Sequence, residues 1–161
     1  RFVKAAAIVL KEVPAARFVI CGDGKEEGNL KALAASLGLS ARFEFRPWTK
    51  NALAEMERLD IYVFPSLREG LPIALLEAMS VGRPCVASDI EGVRDIIERG
   101  VDGVMVDTTD TAAFAQAVVS LCRDPRKARE MGRKALEKVS ACFPVEREME
   151  RIRRIYKEIS G

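Results

Sequence analysis

Two carboxylates bracket the start of a predicted helix: Glu69 stands in the loop that leads into it, and Glu77 lies within the helix. Gly70 allows backbone to approach a ligand closely, and Pro72 suits a first helical turn, where its missing N–H costs nothing. The free N–H groups of that turn point out of the positive helix end and can bind an anion. This combination matches a sugar nucleotide, because its diphosphate needs donors and its hydroxyls need acidic acceptors.

Both carboxylates also have ordinary structural explanations. Glu69 would stabilise the helix dipole from the first turn, and Glu77 would be a solvated helix residue. However, the helix predicted over 72–81 is apolar nearly all round, so a carboxylate inside it needs a partner or a ligand. Periodicity alone leaves the two interpretations balanced.

A second candidate loop, Gly22 to Gly24, follows a predicted strand and precedes a predicted helix, as dinucleotide-binding turns do. The third glycine of that fingerprint is missing, because Glu27 occupies its position and the next glycine is Gly28. We interpret the segment as a tight turn that uses the free φ of glycine. A Rossmann-type NAD(P) oxidoreductase remains an alternative.

The elements that position these loops alternate between strands and helices. Short apolar runs predict strands over 17–21, 42–45, 61–64, 84–88 and 104–106. Apolar residues at helical spacing predict helices over 2–13, 26–37, 51–59, 72–81, 93–97, 111–122, 125–139 and 145–159. This order predicts an α/β fold, a Rossmann-like doubly wound parallel sheet with helices on both faces. Ligands of such sheets bind at the carboxyl ends of the strands.

Composition narrows the class of protein. The 161 residues are 48% hydrophobic and 31% charged, which suits one domain over 1–161 with a real core. The chain has no histidine, so a histidine-ligated metal site or a histidine-based triad is excluded, and we expect no metal. A net charge of +2 gives no general attraction to nucleic acid. The cysteines are expected to be free thiols: Cys21, Cys85, Cys122 and Cys142.

These segments together resemble the glycosyl transferases group 1 (family 4), retaining enzymes with the two-domain GT-B fold. The segment from Glu69 to Glu77 resembles their Glu-x7-Glu signature. The other matching runs follow in the same order along the chain: Phe18–Gly24, Asp60–Ser66, Glu77–Ser88, Gly100–Gly103 and Asp124–Pro125. The resemblance covers essentially the whole chain and implies the C-terminal, donor-binding half of such an enzyme.

The resemblance also implies roles for individual residues. Glu77 matches the acid that binds the ribose hydroxyls, and Glu69 matches the catalytic acid that faces the donor sugar. The other implied binding positions lie in the loop near the sugar and diphosphate, beside the base, and on the same rim: Gly70, Leu71, Pro72, Pro47, Trp48, Gly22 and Gly24. The implied reaction moves a sugar from a UDP- or GDP-sugar to a glycan, lipid or small-molecule acceptor with retained anomeric configuration. No cofactor is implied, so the helix dipole and basic side chains must stabilise the leaving diphosphate.

In the family, a strand and a loop with an Arg and a Lys for the diphosphate precede the helix predicted over 2–13. We expect this chain to lack that first strand and the N-terminal acceptor domain, so the parent is an enzyme and the chain alone is inactive. Free thiols and a nucleotide sugar indicate the cytoplasm, with peripheral association at the inner membrane face if the acceptor is a lipid.

Two further alternatives remain. A sugar-nucleotide epimerase of the same fold is disfavoured by the pair of glutamates, and the other is a non-catalytic nucleotide-binding module.

Overall fold

Strands and helices alternate along the computed structural model, which describes residues 1–107 and 109–143. The strands are β1 (Phe18–Cys21), β2 (Phe43–Arg46), β3 (Tyr62–Phe64), β4 (Cys85–Ser88) and β5 (Val104–Val106). The helices are α1 (Phe2–Glu12), α2 (Glu27–Ser36), α3 (Ala52–Glu57), α4 (Ile73–Ser80), α5 (Glu91–Arg94), α6 (Thr111–Arg123) and α7 (Pro125–Cys142), with a 3-10 turn at Ser40–Arg42. The predicted alternation is confirmed.

One helix differs from its prediction. A helix was expected over 93–97, but α5 occupies Glu91–Arg94. Val93, Ile96 and Ile97 are all buried, so their spacing reflects contact with the core and not the extent of a helix. The helix predicted over 145–159 lies outside the described residues.

All strand pairs in the described chain are parallel, as predicted, and they form two sheets. In the first sheet β1 pairs with β2, with Phe18 opposite Phe43. In the second, β4 lies between β3 and β5. In the described residues β1 does not pair with β3, so β1 and β3 are edge strands of their two sheets.

The core consists of two clusters of buried side chains. The first packs α1 and α6 against β1 and β2, and the rings of Phe2, Phe18 and Phe43 contact one another with centroids 5.0–5.9 Å apart. The second lies under α4, where Leu75 and Met79 are both fully buried. Burying such a side chain contributes about 1.5–3 kcal/mol. Because Leu75 and Met79 hold one face of α4 in the core, the opposite face, which carries the half-buried Glu77, lies nearer the surface.

Helix α7 packs against α4 through a close backbone approach. A Cβ atom at Gly132 would lie 2.1 Å from the carbonyl oxygen of Gly82, so only a residue without a side chain fits there. Asp124 caps the start of α7, because its carboxylate accepts a hydrogen bond from the N–H of Lys127 at 2.9 Å. Pro125 then occupies the first helical position. The approach of Gly132 to Gly82 joins α7 to the turn that follows α4.

Candidate functional site

A cleft of about 650 Å³ opens between the facing edges of the two sheets. Val19, Ile20 and Cys21 of β1 line one side, and Tyr62 and Val63 of β3 line the other. The remaining lining comes from the start of α1, from α2, from α3 and α4, and from loops at the rim: Arg1, Phe2, Val3, Gly22, Leu30, Trp48, Thr49, Ala52, Glu55, Met56, Leu59, Pro65, Leu67, Ala74 and Glu77. The cleft thus reaches the carboxyl ends of β1 and β3, where the fold class predicts ligands to bind.

Glu77 lies in this cleft on the half-buried face of α4. It is three residues after Ala74, which lines the same cleft, so both lie on one helix face. In the described part of the chain, the Glu77 carboxylate accepts no hydrogen bond and forms no ion pair. A half-buried carboxylate in this position is available to accept hydrogen bonds from a ligand.

The N-terminus of α4 opens on the same region. Within residues 1–107 and 109–143, the backbone N–H groups of Gly70, Leu71 and Ala74 have no acceptor. The expectation that all N–H groups here are free is corrected in part, because Ile73 donates to the carbonyl of Leu71 at 3.0 Å. Pro72 is fully buried, so its ring cannot contact a ligand in this structure. Three donors remain at the positive end of an eight-residue helix.

Glu69 is held by its own loop. The hydroxyl of Ser66 donates to Oε1 of Glu69 at 2.7 Å, and the glutamate is half-buried. Burial raises the pKa of the Tyr62 hydroxyl, and the nearby charges of Cys85, Glu77 and Glu69 raise that pKa further. Both glutamates therefore act electrostatically on the same phenol, although Glu69 is not among the residues that line the cleft.

The rim of the cleft is built from the loops after β1 and β2. The N–H of Gly22 donates to the carbonyl of Arg46 at 3.0 Å, and the N–H of Trp48 donates to the Asp23 carboxylate at 3.2 Å. Gly22 has a φ of +132°, which explains a glycine there. The indole of Trp48 is 62% exposed and lines the cleft, so an aromatic face is free for stacking.

The structure brings together part of the predicted set. Glu77, Gly22 and Trp48 line one cleft. The other predicted positions lie in the adjoining loops and outside the lining: Glu69, Gly70, Leu71, Pro72, Gly24 and Pro47.

Sequence reasoning missed several lining residues, among them the polar side chains of Arg1, Thr49, Glu55 and Tyr62. Glu55 lies on α3 and forms an ion pair with Arg46, which is also paired with Glu44 at 2.8 Å. The guanidinium of Arg46 is therefore already neutralised by protein carboxylates. One feature of the sequence could have located Glu55. Asn51 is a helix-capping residue shortly after β2, so it predicts that α3 begins near the carboxyl end of that strand.

The described residues contain no group of three or more His, Cys, Asp or Glu side chains placed to hold a metal ion. All four cysteines are free thiols, as predicted. Burial raises the pKa of the Cys85 thiol, which makes it unreactive. None of the helices in the part of the chain described has the length and apolar character needed to cross a membrane.

Comparison with known proteins gives a family match for most of the chain. The family described as "Glycosyl transferases group 1" matches residues 1–138. The alpha-D-kanosaminyltransferase of Streptomyces kanamyceticus is 32% identical over 160 residues, covering 98% of this chain and 42% of the relative. The UDP-Gal:alpha-D-GlcNAc-diphosphoundecaprenol alpha-1,3-galactosyltransferase of Escherichia coli is 29% identical over 158 residues, covering 96% of this chain and 41% of the relative.

Solved structures show the same fold. A mutant of S. aureus TarM, crystallised with Fondaparinux, alpha-GlcNAc-glycerol and UDP, superposes with a TM-score of 0.90 at 25% identity. The superposition covers 96% of this chain and 32% of TarM. The predicted Rossmann-like fold, the C-terminal half of a GT-B architecture, is confirmed. The chain spans about two fifths of the length of the curated relatives described above.

Proposed function

The chain belongs to the glycosyl transferases group 1 family, and from this premise we propose that its cleft binds the nucleoside diphosphate of a nucleotide-sugar donor. The observation that carries the proposal is the shared position of Glu77 and Ala74. Both residues line one cleft from one side of α4, and within the described residues the Glu77 carboxylate and the Ala74 N–H have no partner. Ribose hydroxyls donate to the first, and a phosphate oxygen accepts from the second.

The remaining groups of the cleft fit the other parts of such a donor. Trp48 offers an exposed aromatic face for the base at the opposite rim. The N–H groups of Gly70 and Leu71, which have no acceptor within the described residues, would extend the anion site to the donor sugar. The name of the E. coli relative specifies UDP-Gal and the TarM crystals contain UDP, so UDP is the first nucleotide to test and GDP the second.

In the proposed reaction, the bond between the sugar and the diphosphate breaks and the acceptor oxygen bonds to the anomeric carbon on the same face. Glu69 faces the donor sugar at this point. The positive end of α4 and basic side chains stabilise the leaving diphosphate, with no metal required. As the new bond forms, the acceptor hydroxyl passes its proton to the departing diphosphate oxygen, so the products are the glycosylated acceptor and the nucleoside diphosphate.

We place the strand that the family carries before α1 in the gap between β1 and β3. The spatial order would then be β2, β1, the added strand, β3, β4 and β5. This is the order 3-2-1-4-5-6 of doubly wound nucleotide-binding folds. The Arg and Lys that follow that strand in the family would then lie near the cleft beside α4. We therefore propose that transfer needs these segments of the parent, and that the chain alone binds the nucleotide weakly.

We further propose that the parent works in the cytoplasm on a glycan, lipid or small-molecule acceptor. The name of the E. coli relative includes a diphosphoundecaprenol acceptor, which supports a lipid as one candidate. With such an acceptor the parent would associate peripherally with the inner face of the membrane.

The test is calorimetric titration of the protein with UDP, GDP, ADP and NADP(H), comparing wild type with Glu77→Gln. The substitution removes a charge-assisted hydrogen bond worth about 1.5–3 kcal/mol, so the Kd for the preferred nucleotide should rise roughly 10- to 150-fold. Glu57→Gln is the matched control, because Glu57 is an exposed α3 glutamate outside the cleft. Equal affinity in both variants would refute the role of Glu77. Binding of NADP(H) alone would refute the donor site and favour the oxidoreductase.

A further inference from the structure

Helix α5 presses against the backbone of the loop that carries Glu69. A Cβ atom built on Gly92 of α5 would lie 2.5 Å from the carbonyl oxygen of Gly70 and 2.7 Å from that of Glu69. Gly92 does not have a positive φ, so its backbone conformation is open to any residue. The contact with the loop, and not the conformation, therefore requires glycine at this position.

Helix α5 itself is fixed from several sides. Val93 is fully buried and sets the depth of the helix in the core. Arg94 donates to the carboxylate of Asp89 at 2.7 Å, and Arg99 donates to the other oxygen of that carboxylate. Asp89 follows β4 directly, and its N–H donates to the carbonyl of Val106 on β5 at 2.9 Å. The helix is thus tied to the strands beneath it.

The loop on the other side of the contact is less constrained. Gly70 and Leu71 are exposed, and their N–H groups have no acceptor in the described residues. A side chain at position 92 would therefore displace the loop and not α5. Real Cβ atoms essentially never approach another heavy atom within 3.0 Å, so the Gly70 carbonyl would have to move by about 0.5 Å or more.

We propose that Gly92 is a positioning residue that sets where the Glu69–Gly70 backbone rests. By having no side chain, it lets the loop lie directly on α5, and so determines the position of the Glu69 carboxylate and of the free Gly70 N–H. The structural part of this proposal stands on the contact alone. Its catalytic part rests on the proposed function.

The structural part is tested by NMR of the protein with isotopically labelled glycine, which gives at most 11 backbone signals. Gly70→Ala identifies the Gly70 signal by its loss and should fold, because a Cβ atom there meets nothing within 4 Å. In Gly92→Ala the Gly70 signal should move. In the control Gly28→Ala, where a Cβ atom also meets nothing within 4 Å, it should stay in place. An unmoved Gly70 signal in folded Gly92→Ala would overturn the proposal.

A second variant, Asp89→Asn, keeps the proposal testable if Gly92→Ala does not fold. Asp89→Asn weakens the attachment of α5 without adding any atom at the contact. We expect the signals of Gly92 and Gly70 to move together in this variant. Movement of Gly92 alone would mean that α5 does not set the loop, and would overturn the proposal.

The catalytic part is tested in the natural full-length chain that carries this sequence. A misplacement near 1 Å costs about 100-fold in rate, so Gly92→Ala should lower kcat for transfer by up to about 100-fold. The affinity for UDP should change less, because Glu77 and the Ala74 N–H on α4 keep their positions and only the outer part of the anion site, at Gly70, moves. An unchanged kcat in an active chain whose Gly70 signal has moved would overturn this part. A wild-type protein that binds no nucleotide would instead refute the proposed function, while the NMR result would still stand.

Discussion

Replacing Lys138 with methionine should destabilise the protein through the carboxylate that it leaves behind. The Nζ atom of Lys138 lies 2.9 Å from Oδ2 of Asp102, whose side chain is 3% exposed. Oδ1 of Asp102 accepts a hydrogen bond from the N–H of Glu98 at 2.7 Å, so the carboxylate is held in place. This ion pair joins α7 to the turn before β5, next to the elements that support α4.

The magnitude follows from burial. Removing one partner of a buried ion pair costs about 3–5 kcal/mol, because the remaining charge is uncompensated. The Lys138 side chain is 27% exposed, so water can solvate part of the carboxylate after substitution. We therefore expect Lys138→Met to lower the free energy of unfolding by about 2–3 kcal/mol. The corresponding fall in Tm is about 4–12 °C.

The assay is urea denaturation followed by circular dichroism. Lys134→Met is the matched control, because the exposed Nζ of Lys134 lies 4.0 Å from Glu130 on the same helix. Its effect should stay within about 0.5 kcal/mol. A double-mutant cycle between Lys138→Met and Asp102→Asn should give a coupling energy above about 1 kcal/mol. Equal effects of the two lysine substitutions, or no coupling, would refute the reasoning.

Two further predictions concern the core and the support of α5. Leu75→Ala should cost about 2.7–5 kcal/mol in urea denaturation, since Leu75 is fully buried, whereas Leu136→Ala at a 39% exposed position should cost far less; similar losses would contradict the assigned core. Hydrogen bonds, first from Arg94 and then from Arg99, lower the pKa of Asp89 from its ordinary value of about 3.9. The ion pairs therefore stabilise the fold above that pH, and this contribution is lost as the pH falls through the lowered pKa. The stability difference between wild type and Asp89→Asn should accordingly be largest near neutral pH and shrink below about pH 4, and a difference that does not depend on pH would exclude this role.

The sequence predicts the elements well where burial follows a simple period. Apolar runs locate β1 to β5, and the cap and proline at Asp124 and Pro125 locate the start of α7. The predicted bounds of α5 are wrong. Val93, Ile96 and Ile97 have the spacing of a helix face, but they are buried by contacts with the core, and the helix ends at Arg94. Residue patterns report which side chains are buried, and secondary structure is inferred from them only indirectly.

Candidate chemistry was also predicted from the local pattern, but with less precision. The apolar helix predicts that Glu77 needs a partner or a ligand, and in the structure Glu77 lines the cleft with no partner among the described residues. The resemblance implies that the backbone at Pro72 lies near the sugar and diphosphate, and the structure shows that the Pro72 ring is fully buried. A loop sequence shows which groups are near one another along the chain, but not which of them turn towards solvent.

The sequence by itself therefore determined the class of fold, the order of the elements and the loop and helix that carry Glu69 and Glu77, because each of these depends on residues within a few positions of one another. Tertiary structure alone decided which groups meet across the chain. Two contacts join segments more than 20 residues apart: that of Gly92 with the Glu69 loop, and the hydrogen bond from Trp48 to Asp23. The cleft likewise lies between β1 and β3, which are distant in the sequence. Such contacts depend on how the strands are ordered and how helices cross them, and no local period in the sequence encodes that arrangement.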